Sequence, residues 1–286
     1  MVDNIFVTKP TLPPLEEFEP YLRKIWKNKT LTNNGPFHAQ LETELANYLG
    51  VPFVSLFNNG TIALVTALKA LVPAGEVITT PFSFVATSHA ILWNQLTPVF
   101  VDIEADSLNL DPYLVEAAIN SKTKAILPVH CYGNPAKLEV FEDIAMRYKL
   151  KLIYDASHAF GVKKNHNSIL SFGHLATLSF HATKVFNTFE GGAIICQTDK
   201  MKNHIDKLKN FGIASETNVE LVGINGKMSE INSAFGLLQL KYIDEAIMKR
   251  RKINDAYTDA INSIENLDLV VPSEAVTSKN YSYFPV

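Results

Sequence analysis

The chain has 286 residues, of which 47% are hydrophobic, 19% charged and 10% aromatic, a profile that excludes disorder and fibres and calls for a large packed core. A formal net charge of −3 gives no electrostatic reason to expect nucleic acid or an anionic membrane as a partner. Cys131 and Cys196 stand far apart, without the spacing of a metal site or a disulfide scaffold, which fits a reducing, cytoplasmic setting.

The opening MVDNIFVTKPTLPP lacks the apolar core of a signal peptide, and no apolar run along the chain reaches the roughly 18 residues of a membrane span. This Pro-rich start reads as irregular, an arm over residues 1–35. From Pro36 to Tyr48 the spacing of Phe37, Leu41, Leu45 and Tyr48 predicts a helix stopped by Gly50. Short apolar runs at Phe53–Phe57, Glu76–Thr79, Thr97–Val101, Ala125–Val129 and Leu150–Tyr154 then alternate with helical stretches at Ile62–Leu71, Val85–Trp93 and Leu138–Tyr148. That alternation predicts an α/β protein: a mostly parallel sheet with helices on both faces.

Two further strands are predicted at Leu175–Phe180 and Gly192–Gln197, making seven. The segment between them is too short for a parallel crossover, so one of the pair is expected to run antiparallel to its neighbour. A long helix, broken at most once, follows from Met228 to about Ile264, and its KRRK run at 249–252 reads as a solvated face. LDLVVP, residues 267–272, reads as a strand opening a new unit. The ending NYSYFPV reads as a strand in mid-course, so the C-terminal unit is expected to be cut short. The division expected is a large domain over residues 1–240 and the start of a small α+β domain over 241–286.

In an open parallel sheet, ligands bind beyond the carboxyl ends of the strands, so the residues following each apolar run carry the information. Asn58-Asn59-Gly60-Thr61 opens a helix and offers free N–H groups to a phosphate, or is an ordinary capped turn. Phe84, in PFSF, is placed to stack on a flat heteroaromatic ring, or is simply core. Asp155 and His158 emerge together after KLIY. A carboxylate there can hold a pyridine nitrogen protonated, and the bland alternative is a helix cap beside a satisfied histidine. Lys184 lies in a Gly-flanked connection among apolar and aromatic residues, where desolvation lowers an amine's pKa and suits it to form a Schiff base.

These stretches, in order, resemble the sugar aminotransferases of the DegT/StrS family: LTNNGPFHAQLETELANYLG, NNGTIAL, PFSFVATSHAI, PVFVDI, AILPVHCYGNP, YDASHAFG, SFHATKVFNTFEGG and GINGKMSEINSAFGLLQL. The resemblance implies a fold type I, aspartate-aminotransferase-like architecture and pyridoxal 5'-phosphate as cofactor. It implies that Lys184 bonds to the cofactor, that Asp155 pairs with the ring nitrogen and that His158 contacts the ring hydroxyl. Phe84 would stack on the ring. Gly60, Thr61 and Ser179 would seat the phosphate together with Asn225 reaching over from a second subunit, which makes the active unit a homodimer.

Gly226-Lys227 departs from the Tyr-Arg of the family pattern, and a lysine there gives a looser, less directional anion contact. The implied reaction moves an amino group from glutamate to a nucleotide-linked keto sugar, at C4 of a dTDP-4-keto-6-deoxyhexose, on the way to a surface polysaccharide such as O-antigen or lipopolysaccharide. Amination at C3 is the nearest rival. A cofactor-binding protein without turnover is the rival from another class.

Overall fold

The structure, a computed structural model, describes residues 8–262, 264, 267, 269–270 and 275–286. Helix α1 (Leu15–Asn28) and α2 (Pro36–Leu49) precede β1 (Phe53–Phe57), α3 (Gly60–Leu71), β2 (Glu76–Thr79), α4 (Ala86–Trp93) and β3 (Thr97–Phe100). Then come α5 (Pro112–Ala118), β4 (Thr123–Leu127), α6 (Leu138–Arg147), β5 (Lys151–Asp155), a short ribbon of β6 (Lys163–Lys164) and β7 (Asn167–Ser168), and β8 (Leu175–Ser179). The chain continues through β9 (Gly192–Cys196), α7 (Asp199–Leu208), a hairpin of β10 (Ile213–Ser215) and β11 (Asn218–Val219), and α8 (Glu230–Ile261).

Seven strands form one sheet in the order β1-β9-β8-β5-β4-β2-β3. The pairings from β8 through β5, β4 and β2 to β3 are parallel, while β9 runs antiparallel to both β1 and β8. The antiparallel neighbour expected from the short 180–191 connection is therefore β9.

Side chains alternate across the strands, so each strand feeds two cores. Leu152 and Tyr154 join one cluster with α1, α2, α6 and α8, while Ile153 joins the other with α3, α4 and α7. This two-faced burial is why the strands read as continuous apolar runs.

Two expectations need correction. The start of the chain is not irregular throughout, because residues 15–28 form α1. Pro14 occupies its N-cap, Glu16 and Glu17 its first turn and Lys27 its last, and Phe18 and Ile25, two turns apart, are buried. Pro13 and Pro14 precede that stripe and Pro20 stands within it. The long helix α8 runs unbroken from Glu230 to Ile261, as the expectation allowed, with Ser229 as its cap. Residues 280–286 form no strand: Tyr281 adopts φ +52°, and the Asn280 side-chain amide donates to His158 O at 2.8 Å and Phe160 O at 3.0 Å. Parts of the strand expected at 267–272, namely residues 268, 271 and 272, lie outside the described residues.

Candidate active site

The carboxyl ends of β1, β5 and β8 converge because β9, the strand between β1 and β8, begins with a glycine. A Cβ on Gly192 would lie 2.6 Å from the Asn59 carbonyl carbon, and one on Gly60 would lie 2.8 Å from Ser179 Cβ. Both side chains are missing where the start of α3 seats itself on the ends of β8 and β9. Asn59 caps α3, its side chain accepting from Ile62 N–H at 2.8 Å, while its carbonyl takes Ala63 N–H. Gly60 and Thr61 are thus left to present first-turn N–H groups to an anion.

A cavity of about 480 Å³ opens there, lined by Gly60, Thr61, Phe84, Asp155, His158, Ser179 and Lys184. Sequence reasoning picked all of these. Asn225 is the exception: it is exposed, bridges to Asn210 and does not line this cavity. Its neighbour Lys227 is likewise engaged elsewhere, donating to Asn210 Oδ1 at 2.8 Å with its ammonium 4.7 Å from the centroid of the Phe211 ring.

Asp155 ends β5 and is buried. Ser157 donates to its Oδ1 from both N–H (3.1 Å) and Oγ (2.6 Å), and Thr87 donates to its Oδ2 at 2.8 Å. Lys184 is half-buried, and that burial lowers its pKa from 10.5 against the opposing pull of Asp155. Burial and the nearby Lys184 charge push His158 down to about 3, so its imidazole is neutral in ordinary buffers. His158 Nδ1 is buried without a partner among the described residues, and its ring clusters with those of Tyr132 and Tyr283, 4.7 Å from the latter, while the two tyrosine rings lie 5.5 Å apart. Phe84 is 75% exposed, which leaves its ring free to lie against a second flat ring.

Thr87, Ser157 and Tyr283 are the residues that sequence reasoning missed. Ser157 follows Asp155 by two, the spacing of an Asx turn, and was legible from that. Thr87 and Tyr283 reach the site only through the packing of α4 and of the C-terminal segment.

The donor set suits one kind of guest. An amine whose proton is loosened by burial, a carboxylate, an unpartnered neutral imidazole, an exposed aromatic ring and a helix N-terminus fit a flat, nitrogen-bearing ring with a phosphate arm. A mostly parallel sheet that brings these groups to one crevice defines an enzyme of the fold type I, lysine-and-pyridoxal class. The chain matches the model of the DegT/DnrJ/EryC1/StrS aminotransferase family over residues 15–286 and belongs to that family. Its cofactor is pyridoxal phosphate.

Two curated relatives, each described as a dTDP-4-amino-4,6-dideoxy-D-glucose transaminase, are similar to it. The Shigella dysenteriae protein is 57% identical over 100% of this chain and 78% of its own length, and the Escherichia coli protein is 57% identical over 99% and 76%. Among solved structures, DesI in the presence of its TDP-sugar product superposes with a TM-score of 0.91 at 32% identity, covering 98% of this chain and 71% of that one. Among the described residues no helix is long and apolar enough to cross a membrane, and no cluster of His, Cys, Asp or Glu is placed to hold a metal ion.

Proposed function

We propose that this chain transfers an amino group from glutamate to C4 of a dTDP-linked 4-keto-6-deoxyhexose. The observation that carries the substrate is the 57% identity, across the whole chain, to two transaminases of that description. When bound, pyridoxal phosphate supplies the electron-accepting ring that lets nitrogen move between carbons.

The chain's own groups do the rest. Lys184 would hold the cofactor through its Nζ, and that amine when free would take up a proton and return it, a task that suits an amine whose pKa burial has lowered. Asp155 pairs with the ring nitrogen and keeps it protonated. His158, neutral at working pH, serves as a hydrogen-bonding partner for the ring hydroxyl through Nδ1 and does not act as an acid. Phe84 covers one face of the ring. Gly60 and Thr61 meet the phosphate with the start of α3, and Ser179 adds its hydroxyl.

Asn225 stands away from the cavity of its own chain, which supports its reading as a phosphate ligand given to a second subunit, and hence a homodimer with shared sites. A cytoplasmic place in amino-sugar synthesis for surface polysaccharide or O-antigen fits the two free cysteines. The test is a reaction of the protein with pyridoxal phosphate, glutamate and a dTDP-4-keto-6-deoxyhexose, read by NMR of the sugar. An amine on C4 is expected. An amine on C3, or an unchanged sugar, overturns the assignment.

A further inference from the structure

Asp155 collects its donors from two separate elements. Ser157 serves Oδ1 from the turn that follows β5, and Thr87, buried in the first turn of α4, serves Oδ2. The Thr87 hydroxyl oxygen also lies 2.7 Å from that of Ser83. A hydroxyl has one proton to give. Since Thr87 gives its proton to Asp155, the proton between Thr87 and Ser83 belongs to Ser83, and the chain runs one way, from Ser83 to Thr87 to Asp155. Ser83 stands between Phe82 and Phe84, so the same relay ties the aromatic loop to the carboxylate.

We infer that Thr87, oriented by Ser83, is a positioning residue for the aminotransfer reaction, holding the Asp155 carboxylate in place against the cofactor's ring nitrogen. The inference rests on the role proposed above for Asp155. Donors from two separate elements fix the direction in which the Asp155 oxygens point. Neutral hydroxyls do so without adding a cation that would compete with the ring nitrogen for the same oxygens. Without the Thr87 hydroxyl the carboxylate loses one of its two anchoring residues and can turn away from the ring nitrogen, which then holds its proton less firmly. A less positive ring would then let the Lys184 Nζ, where it is bonded to the cofactor, keep its own proton to higher pH. The other titratable groups lining the cavity are Cys131, His158, His181, Lys184, Glu190 and Tyr283, and removing the Thr87 hydroxyl leaves each of them in place.

The experiment is a pH titration of the visible absorption band of the cofactor-loaded protein, beside steady-state kinetics. Thr87→Val keeps the shape of the side chain and removes the hydroxyl. Its midpoint is expected to rise by about one pH unit and kcat to fall about tenfold, the scale of one lost hydrogen bond to a charged group. KM for both substrates and the Kd for cofactor should stay within about twofold, because the lost bond touches neither the sugar site nor the phosphate seat. Thr87→Ser restores both values, and Ser83→Ala moves the midpoint less but in the same direction.

An unmoved midpoint and kcat in Thr87→Val overturn the inference, as does a loss confined to cofactor binding. Should Thr87→Val not fold, the midpoint of Ser83→Ala decides. Asp155→Asn separates the two layers. If it shifts the titration while Thr87→Val does not, only the relay falls, and if neither shifts it, the role of Asp155 falls as well.

Discussion

Lys184 and Lys209 both lie beneath the surface beside carboxylates, and their surroundings differ in one respect. Lys209, 1% exposed, donates to Glu42 Oε1 at 3.1 Å and to Ser55 Oγ at 2.9 Å, and its ammonium lies 2.9 Å from Asp206 Oδ1. Lys202 completes the network with contacts of 2.9 Å to Glu42 and 2.5 Å to Asp206. Burial alone would raise the pKa of Glu42 and Asp206 and lower that of Lys202. The opposite charges outweigh it, so both carboxylates end low and Lys202 ends high. At Lys184 burial outweighs the opposing pull of Asp155, and the pKa falls. Geometrically saturated lysines pin α2, β1 and α7 together, whereas an under-compensated lysine facing a cavity is available for chemistry.

Exchanging the roles should expose that difference. The largest effect expected is Lys184→Ala, which should cut turnover by more than about 10³-fold while leaving the thermal midpoint near that of the wild type, because it removes the covalent anchor and the proton carrier together. Steady-state rates beside a melting curve check both halves. Asp155→Asn comes next. It should lower kcat by about 10²- to 10⁴-fold with cofactor affinity little changed, as measured by kinetics and cofactor titration, since the phosphate seat is untouched.

Lys209→Met should do the reverse. It leaves Lys202 as the one lysine of this network still paired with Glu42 and Asp206, so urea denaturation should show a loss of about 3–5 kcal/mol while kcat per folded site holds. A Lys209→Met protein with wild-type stability would erase the contrast between the two regions.

The smallest effect is a pH dependence on the structural side. Burial, aided by Lys209, lowers His38 from 6.5 to about 4, and burial lowers His130 from 6.5 to about 3. Both histidines take up protons more readily when unfolded, so stability is full above pH 6.5 and is lost as pH falls toward those values. For His38 the loss is at most on the order of 3 kcal/mol by pH 4. Glu42 and Asp206, whose folded pKa values are depressed, add a further loss once pH drops below their unfolded values near 4. Urea midpoints between pH 8 and pH 3.5 should therefore fall in two stages, and His38→Gln should flatten the upper one.

The two regions were unequally legible in the sequence. Strand runs, the odd strand β9 and the residues at strand ends follow from local pattern, which points to Lys184, Asp155, His158 and Gly60, while Ser179 follows only from the family resemblance. The buried network escaped notice because Glu42, Ser55, Lys202, Asp206 and Lys209 look like ordinary surface residues on α2, β1 and α7 until those elements pack. Helix α1 was hidden by its prolines. The supports of Asp155 were half visible, Ser157 by its spacing and Thr87 only by the approach of α4.

The most direct test of the whole account is the visible spectrum of the purified protein loaded with pyridoxal phosphate, followed through glutamate and then a dTDP-4-keto-6-deoxyhexose. The band of the lysine-bound cofactor is expected to vanish with glutamate and to return with the sugar, and to be absent throughout in Lys184→Ala. A band that forms but never responds to glutamate, or one that persists in Lys184→Ala, would contradict the assignment of Lys184 and the aminotransfer built on it.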